Sequence, residues 1–358
     1  MWNLVRLSSG VMTQIEWVRY PHLAAHEPAR RWLQFTANIG RAPSTIDAYG
    51  RSVDDHLRYC HKIGEDPLTL KADAVAGWIG DLRSRPNPRS ANLVHFDSGV
   101  GLASATIQLR VVATRSFYAY LVEDGLRELN PVRRGQSGRS GRRPRRGLVG
   151  RVEKAPWIPT EASWDRIVNT VRSQSLRNRL MTALAYDGAL RREELTQLDA
   201  EDIDPAYSLI HLRAETTKSQ RAREVAYGTA TGQLLMSYLK HRRALFGRVG
   251  GALLRSESRR NFGAPLSEWT WSKVAEDIAR RAKTPNLSTH TFRHLRLTDL
   301  ARADWTLDQI AQYAGHRDLD TTMKYIHLSG RELAERFQRA NTAVTDARER
   351  LLASLVEA

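Results

Sequence analysis

One segment near the middle of the chain divides it into two parts that must fold separately. Residues 131 to 155, PVRRGQSGRSGRRPRRGLVGRVEKA, contain eight Arg and one Lys against one Glu, so they hold a formal charge of +8, half of the chain's +16. Gly, Ser, Pro and Arg without periodic apolar positions are typical of a linker. The chain has 358 residues, which is enough for an ordinary domain on each side of this linker.

The sequence on both sides of the linker predicts mostly helices. Residues 21 to 131 contain four helical segments, the second of which opens with a Ser44/Thr45 cap and ends at Gly64. In residues 156 to 330, SLIHLR and AREVAYG flank the polar turn AETTKSQR and predict one β-hairpin. We therefore expect a mainly α fold, with a small hairpin in an α+β second domain. The remaining assignments are a tail at 1–20, the linker at 132–155 and a C-terminal helical tail at 331–358.

The strong positive charge indicates a polyanionic partner. Lys plus Arg is 55 against 39 for Asp plus Glu, and the pI is near 10.3. A globular protein this basic most often binds nucleic acid, although charge that serves only solubility is an alternative. We expect the linker to lie along DNA phosphates, the alternative being a solvated spacer. Its candidate DNA contacts are Arg133, Arg134, Arg142, Arg143, Arg145 and Arg146.

The sequence lacks the marks of several other protein classes. Cys60 is the only cysteine, which excludes an internal disulfide framework and a multi-thiolate zinc site. We find no Gly-rich phosphate loop, no His-Glu-x-x-His, no Gly-x-Ser-x-Gly and no acidic triad with metal-ligand spacing. We therefore expect no metal and no cofactor. Apolar runs are far shorter than the ~20 residues that span a bilayer, and the start is a poor secretory signal, so we expect a cytoplasmic, nucleoid-associated protein.

A few short strings in the second half contain the residues that could do chemistry. In order along the chain, YDGALRREEL, TTKSQ, STHTFRHLR, AGHRD and DTTMKYIH contain Arg191 with Glu194, Lys218, His290 with Arg293, His316, and Tyr325. Taken singly, each has a simpler explanation: a surface ion pair, a solvated lysine, a chance His-x-x-Arg, a helix-end histidine and a core tyrosine.

Taken together, the order and separations of these residues resemble the catalytic signature of the tyrosine recombinases, the phage integrase family. The strings GALRREELTQLDAEDID, HTFRHLRLTDLARADWTLDQIAQYAGH and DTTMKYIH carry the resemblance, which spans roughly residues 180 to 330. The family's Gly-x-Arg-x-x-Glu-Leu setting corresponds here to Gly-Ala-Leu-Arg-Arg-Glu-Glu-Leu, which puts Arg191 rather than Arg192 at the catalytic position. The resemblance implies a helical core-binding (SAM-like) domain at 21–131 and a tyrosine recombinase catalytic domain at 156–330.

The resemblance implies that Tyr325 is a nucleophile that attacks a DNA phosphodiester and forms a 3′-phosphotyrosyl bond. Lys218 would then be the general acid that protonates the 5′-hydroxyl leaving group. An ordinary tyrosine has a pKa near 10, so only about one in a thousand is ionised at pH 7. We expect the surrounding cations to lower the pKa of Tyr325 and to help remove its proton.

The same resemblance gives roles to the other positions of the signature. Arg191 and Arg293 would hold the phosphate oxygens, because a guanidinium binds phosphate through two parallel hydrogen bonds and keeps its charge. His290 and His316 would orient the phosphate and help to manage the proton on Tyr325. Glu194 would steady the basic cluster without reacting.

The expected function is site-specific DNA recombination of the integrase, transposase or dimer-resolving kind, independent of metal and ATP. Two alternatives use similar residues: DNA relaxation of the type IB topoisomerase kind, and DNA binding by a non-catalytic relative. The expected partners are double-stranded DNA, a homo-tetramer assembled on two DNA sites, and an accessory recombinase or directionality protein. The C-terminal tail would either pack within its own protomer or pass to a neighbour.

Overall fold

The computed structural model describes residues 14–85, 101–132, 148–149, 156–217, 220–323 and 325. The chain separates into two compact units, Met1–Lys154 and Ala155–Ala358, and each has its own hydrophobic core. The six linker arginines, Lys218 and the C-terminal tail lie outside the described residues.

The first unit is a small helical domain. Its described helices are α1 (Pro21–Ala25), α2 (Glu27–Asn38), α3 (Pro43–Ile63), α4 (Ala72–Ser84) and α5 (Ser104–Glu123). Helix α3 packs against α1, α2 and α5, and the core between them contains Trp32, Trp78, Phe117 and Tyr118. All four predicted helices are present, and the short helix α1 is an addition to the prediction.

The start of α3 differs from the prediction. The helix begins at Pro43, and the residue before it, Ala42, makes no side-chain cap hydrogen bond. Proline suits the first helical position because it has no amide hydrogen to leave unsatisfied and its φ is already helical. Ser44 and Thr45 therefore lie within the first turn and do not cap it. At the other end Gly64 has a φ of 70°, the left-handed conformation expected of a glycine that ends a helix.

The second unit combines helices with one small sheet. Its described helices are α6 (Glu161–Arg172), α7 (Leu176–Asp187), α8 (Arg192–Thr196), α9 (Thr229–Phe246), α10 (Glu268–Arg281), α11 (Thr289–Arg302), α12 (Leu307–Ala314) and α13 (Leu319–Met323). Its strands are β1 (Ile203–Asp204), β2 (Leu209–Leu212) and β3 (Arg223–Ala226). The mainly α fold with a small sheet is therefore confirmed.

The sheet is antiparallel and has the strand order β1-β2-β3. Strands β2 and β3 form the predicted hairpin, with Ile210 opposite Val225 and Leu212 opposite Arg223. Ile210, Leu212 and Val225 are buried in the core of this unit, whereas Arg223 begins β3 beside the end of α12. Strand β1 is an addition to the predicted hairpin.

The core of the second unit brings four chain segments to one place. Helix α7 packs against α9 and α11, and α11 buries Phe292 and Leu297. Helix α12 contacts both α11 and β3. As a result the start of α8, the start of β3, the first turn of α11 and the end of α12 meet. No helix in the described part of the chain is both long and apolar enough to cross a bilayer.

Candidate active site

The C-terminal end of α12 holds three arginine side chains. Arg223 Nε donates to the carbonyl of Tyr313 at 2.9 Å, Arg293 Nη2 to that of Ala314 at 2.6 Å, and Arg191 Nη2 to that of Gly315 at 3.1 Å. The last carbonyls of a helix have no partner within it and form the negative end of the helix dipole. Because the three acceptors follow one another in the chain, one helix end gathers three cations from three different segments.

Gly315 makes this arrangement possible. It ends α12 with a φ of 64° in the left-handed region, where a residue with a Cβ is strained. A Cβ at this position would lie 2.9 Å from Nη1 of Arg223, closer than two such atoms can approach without a shift. The glycine therefore allows both the helix end and the close approach of the guanidinium.

The alanine substitution Gly315→Ala is expected to lower stability and to weaken the DNA cleavage that the sequence resemblance implies. The strained φ should cost about 1 kcal/mol of the free energy of unfolding, and displacement of Arg223 should slow cleavage by about 10-fold to 100-fold. Gly64→Ala is a matched control, because Gly64 also ends a helix at positive φ but has no atom within 4 Å of its Cβ position. It should lose similar stability and keep its cleavage rate. Equal cleavage by the two variants in a single-turnover assay would contradict this expectation.

Glu194 is the buried carboxylate that joins two of the arginines. Its side chain accepts hydrogen bonds from Arg191, through the backbone N–H at 2.8 Å and Nη1 at 2.7 Å. It also accepts from Arg223, through Nη1 at 2.9 Å and Nη2 at 2.8 Å. Burial by itself would raise the pKa of Glu194, but the hydrogen bonds and charge of Arg223, with the charge of Arg191, lower it to about 2. Glu194 is therefore ionised at any ordinary pH.

The side chains of Arg191, Arg223, Arg293 and Glu194 together have more positive than negative charge. Three guanidinium groups face the single carboxylate of Glu194, and Arg293 is only 4% exposed. Burial, and then repulsion from Arg191 and Arg223, lowers the pKa of Arg293 to about 9, although Glu194 opposes the shift. Arg293 thus stays charged near neutral pH in a site where a further anion would relieve the repulsion. This arrangement is suited to bind a phosphate group.

His316 follows Gly315 and is fixed on both of its ring nitrogens. Nε2 lies 2.9 Å from Nη2 of Arg293, and Nδ1 lies 2.8 Å from Oγ1 of Thr322. Because a guanidinium only donates hydrogen bonds, Nε2 must be the acceptor, and the imidazole proton is on Nδ1. Burial and the neighbouring arginines, Arg293 first, lower the pKa of His316 to about 3. His316 is therefore a neutral imidazole with an assigned tautomer.

Tyr325 is a buried phenol in contact with two histidines. It is 7% exposed, its Oη lies 2.8 Å from Nδ1 of His294, and its ring is nearly parallel to that of His316, with 6.1 Å between the ring centroids. Burial raises the pKa of Tyr325, while Arg293 and Arg191 lower it, and the net shift is upward. The expectation that the cations would bring this pKa below its ordinary value is wrong for this structure, because burial outweighs them.

The three arginines, Glu194, His294, His316 and Tyr325 form one cluster. Not every residue predicted from the sequence lies in it. Arg191, Glu194, Arg293, His316 and Tyr325 do. His290 lies in the first turn of α11, where its side chain is exposed. Lys218 lies outside the described residues. Within the described ranges, no group of three or more His, Cys, Asp or Glu side chains is placed to hold a metal ion.

Two members of the cluster were not predicted from the sequence. The sequence places Arg223 only in a predicted strand, and nothing near it in the chain indicates that it binds Glu194. His294 immediately follows Arg293 and lies four residues after His290, so both histidines can share one face of a helix. That spacing was a usable signal for His294, and no comparable signal exists for Arg223.

The second unit matches a known class of enzymes, the tyrosine-dependent DNA strand transferases. Residues 160–332 match the model of the phage integrase family. The tyrosine recombinase XerC of Stutzerimonas stutzeri is 26% identical over 297 residues, covering 83% of this chain and 89% of that protein. The chain belongs to the tyrosine recombinase family, also called the phage integrase family, and is a site-specific DNA recombinase.

Two solved structures have the same fold. The XerH site-specific recombinase bound to its difH substrate, in a pre-cleavage complex, aligns with a TM-score of 0.61 at 16% identity, over 91% of this chain and 97% of that one. A lambda integrase dimer bound to a COC′ core site aligns with a TM-score of 0.61 at 17% identity, over 86% of this chain and 96% of that one. Because each alignment covers more than four-fifths of the chain, each includes residues of both units.

Proposed function

We propose that Tyr325 is the nucleophile with which this recombinase cuts and rejoins double-stranded DNA. Its phenol oxygen attacks a phosphodiester, the bond from phosphorus to the 5′-oxygen breaks, and a 3′-phosphotyrosyl bond forms. The observation that carries this proposal is the position of one buried phenol between His294 and His316, the latter bonded to Arg293. The phosphotyrosyl bond keeps the energy of the broken linkage, so the 5′-hydroxyl of a second strand can attack it without ATP.

Arg191 and Arg293 are the proposed phosphate clamp. Both guanidinium groups are anchored on backbone carbonyls of the same helix end, so little reorganisation is needed when charge develops on the non-bridging oxygens. The excess of positive charge over the single carboxylate of Glu194 supports the same role. His316 contributes a neutral imidazole that has its hydrogen on Nδ1, and this N–H is directed at Oγ1 of Thr322.

Two further residues have roles that come from the resemblance. Lys218 is the proposed general acid for the 5′-oxygen; in the sequence it comes between β2 and β3, and it lies outside the described residues. His290 is proposed to contact the phosphate, since its exposed position in the first turn of α11 leaves it accessible to DNA. No metal or nucleotide cofactor is required by this mechanism.

The assembly of the protein on DNA and its role in the cell are also proposed. XerH was solved with its difH substrate and lambda integrase as a dimer on a core site, and we propose that this chain likewise assembles on DNA, as a tetramer joining two sites. The arginines of the 132–155 linker, which lie outside the described residues, would add salt-dependent contacts to phosphates. Such an enzyme acts on chromosomal or mobile DNA in the cytoplasm, whether for integration, transposition or dimer resolution, with or without an accessory recombinase or directionality protein.

Covalent capture tests the proposed function. The purified protein is incubated without metal with fragments of the DNA that surrounds its own gene, denatured in SDS, and the attached DNA is sequenced. We expect adducts at one short, nearly palindromic site, with the protein on the 3′ end of the cut strand. Adducts scattered without sequence preference would favour the topoisomerase alternative. DNA binding without any adduct would favour the non-catalytic alternative.

A further inference from the structure

We propose that His294 is a catalytic residue of this recombinase, the base that accepts the proton of Tyr325 during strand cleavage. The inference rests on the proposed function of Tyr325 as the nucleophile. Its basis is the distance of 2.8 Å between Nδ1 of His294 and Oη of Tyr325. This is within the range in which a base can take a proton directly.

His316, the other histidine against the phenol, is not available as a base. Its Nε2 already accepts a hydrogen bond from Arg293, and its Nδ1–H is directed to Thr322. A second proton could go only to Nε2, where it would face the donating guanidinium of Arg293. Burial, together with the surrounding arginines, lowers the pKa of His316 to about 3. Its ring stacks on that of Tyr325, so its contribution to the phenol is packing.

His290 lies one step further from the phenol. Its ring centroid is 6.2 Å from that of His294, and the His294 ring is in turn 5.5 Å from that of Tyr325. His290 is exposed, whereas His294 is half-buried and Tyr325 is buried. The three side chains thus lead from solvent to the hydroxyl, and His294 is the member of the series that contacts the reacting oxygen.

A base is needed because of the surroundings of the phenol. Burial raises the pKa of Tyr325 in spite of Arg293 and Arg191, so the phenolate is even rarer than the roughly one in a thousand expected of a free tyrosine at pH 7. Arginine side chains cannot accept the proton, since they are already protonated.

The proposed step balances in protons and electrons. As the Oη–phosphorus bond forms, the phenol proton moves to the lone pair on Nδ1 of His294, which therefore has its own hydrogen on Nε2 before the reaction. The bond from phosphorus to the 5′-oxygen breaks, and that oxygen takes a proton from the general acid. During rejoining, His294 returns the proton to Tyr325 as the phosphotyrosyl bond breaks.

The test is single-turnover cleavage of the DNA site identified by covalent capture, with the full-length chain and His294→Asn. Asparagine keeps a polar atom near the position of Nδ1 but cannot hold a proton at neutral pH. We expect cleavage about 100-fold slower, within the range for loss of a general base, with DNA binding unchanged. His211→Asn is the control, because His211 is a partly exposed histidine on β2 paired with Glu224, and it should cleave at the parent rate.

A second substitution distinguishes whether His294 acts as a base or only positions the ring of Tyr325. Tyr325→3-fluorotyrosine makes the phenol more acidic, so it depends less on a base. We expect this change to recover at least about tenfold of the rate lost in His294→Asn while altering the parent rate little. Cleavage by His294→Asn within a few-fold of the parent, or equal effects of fluorotyrosine in both backgrounds, would overturn the proposal for His294 alone. A parent protein that forms no adduct would instead overturn the proposed function.

Discussion

Tyr325→Phe is expected to abolish covalent attachment to DNA and to leave DNA binding within a few-fold of the parent. The substitution removes one oxygen from a side chain that is 7% exposed, and the remaining ring can still stack on His316. The lost hydrogen bond to His294 is worth about 1 kcal/mol, too little to unfold a domain of this size. Tyr313, a neighbouring tyrosine on α12, donates its Oη to the carbonyls of Asp187 and Ala226, so we expect no residual adduct.

Tyr238→Phe is the matched control for this experiment. Tyr238 is a fully buried tyrosine of the same unit whose Oη accepts a hydrogen bond from the backbone N–H of Arg255, away from the cluster. It should lose similar stability and still form adducts at the parent rate. Both variants are compared by SDS gel for adducts and by equilibrium binding for affinity. Adducts formed by Tyr325→Phe would show that the nucleophile is misassigned.

The parts of this structure that could be predicted from sequence depend on local chemistry. Gly64 and Gly315 end helices because a glycine tolerates the left-handed φ of a helix terminus. The hairpin of β2 and β3 follows from two β-rich strings around a polar turn. The signature residues could be found because each lies in a short string with family-like neighbours, and the match to residues 160–332 covers all of them.

The parts that could not be predicted depend on contacts between distant segments. Arg223 is 29 residues from Glu194 and 90 from Tyr313, its two partners. Neither contact follows from a local pattern, because both require the end of α12 to meet the start of β3. The sequence places Arg191 near the start of a helix, but the carbonyl that its guanidinium binds, that of Gly315, is 124 residues away.

The upward shift of the Tyr325 pKa could not be predicted for the same reason, because it depends on how distant segments pack. The resemblance groups several cations around Tyr325 and so predicts a lowered pKa, and Arg293 and Arg191 do act in that direction. Sequence does not show how deeply the phenol is buried, and burial is the larger effect here. Once the burial is known, the need for a proton acceptor follows, and with it the importance of His294.

Arg191→Ala is expected to reduce the rate of cleavage by about 10³-fold, because a guanidinium that stabilises charge on a transferring phosphate is worth that much or more. Its side chain is 16% exposed and is held by Glu194 and the carbonyl of Gly315. Removal also leaves Glu194 with Arg223 as its remaining guanidinium partner in the cluster. We therefore expect a modest loss of stability beside the large loss of rate, visible as a lower thermal unfolding midpoint.

Arg192→Ala is the control that the sequence itself supplies. The two arginines are adjacent and have the same charge, so both variants lose the same long-range attraction to DNA. Arg192 is 38% exposed and pairs with Glu268 at 2.7 Å, outside the cluster, so its removal should change cleavage by no more than a few-fold. Single-turnover rates at saturating DNA separate the two effects. A larger loss for Arg192→Ala would mean that the phosphate clamp is formed one residue further along the chain, in an active conformation where the start of α8 has turned.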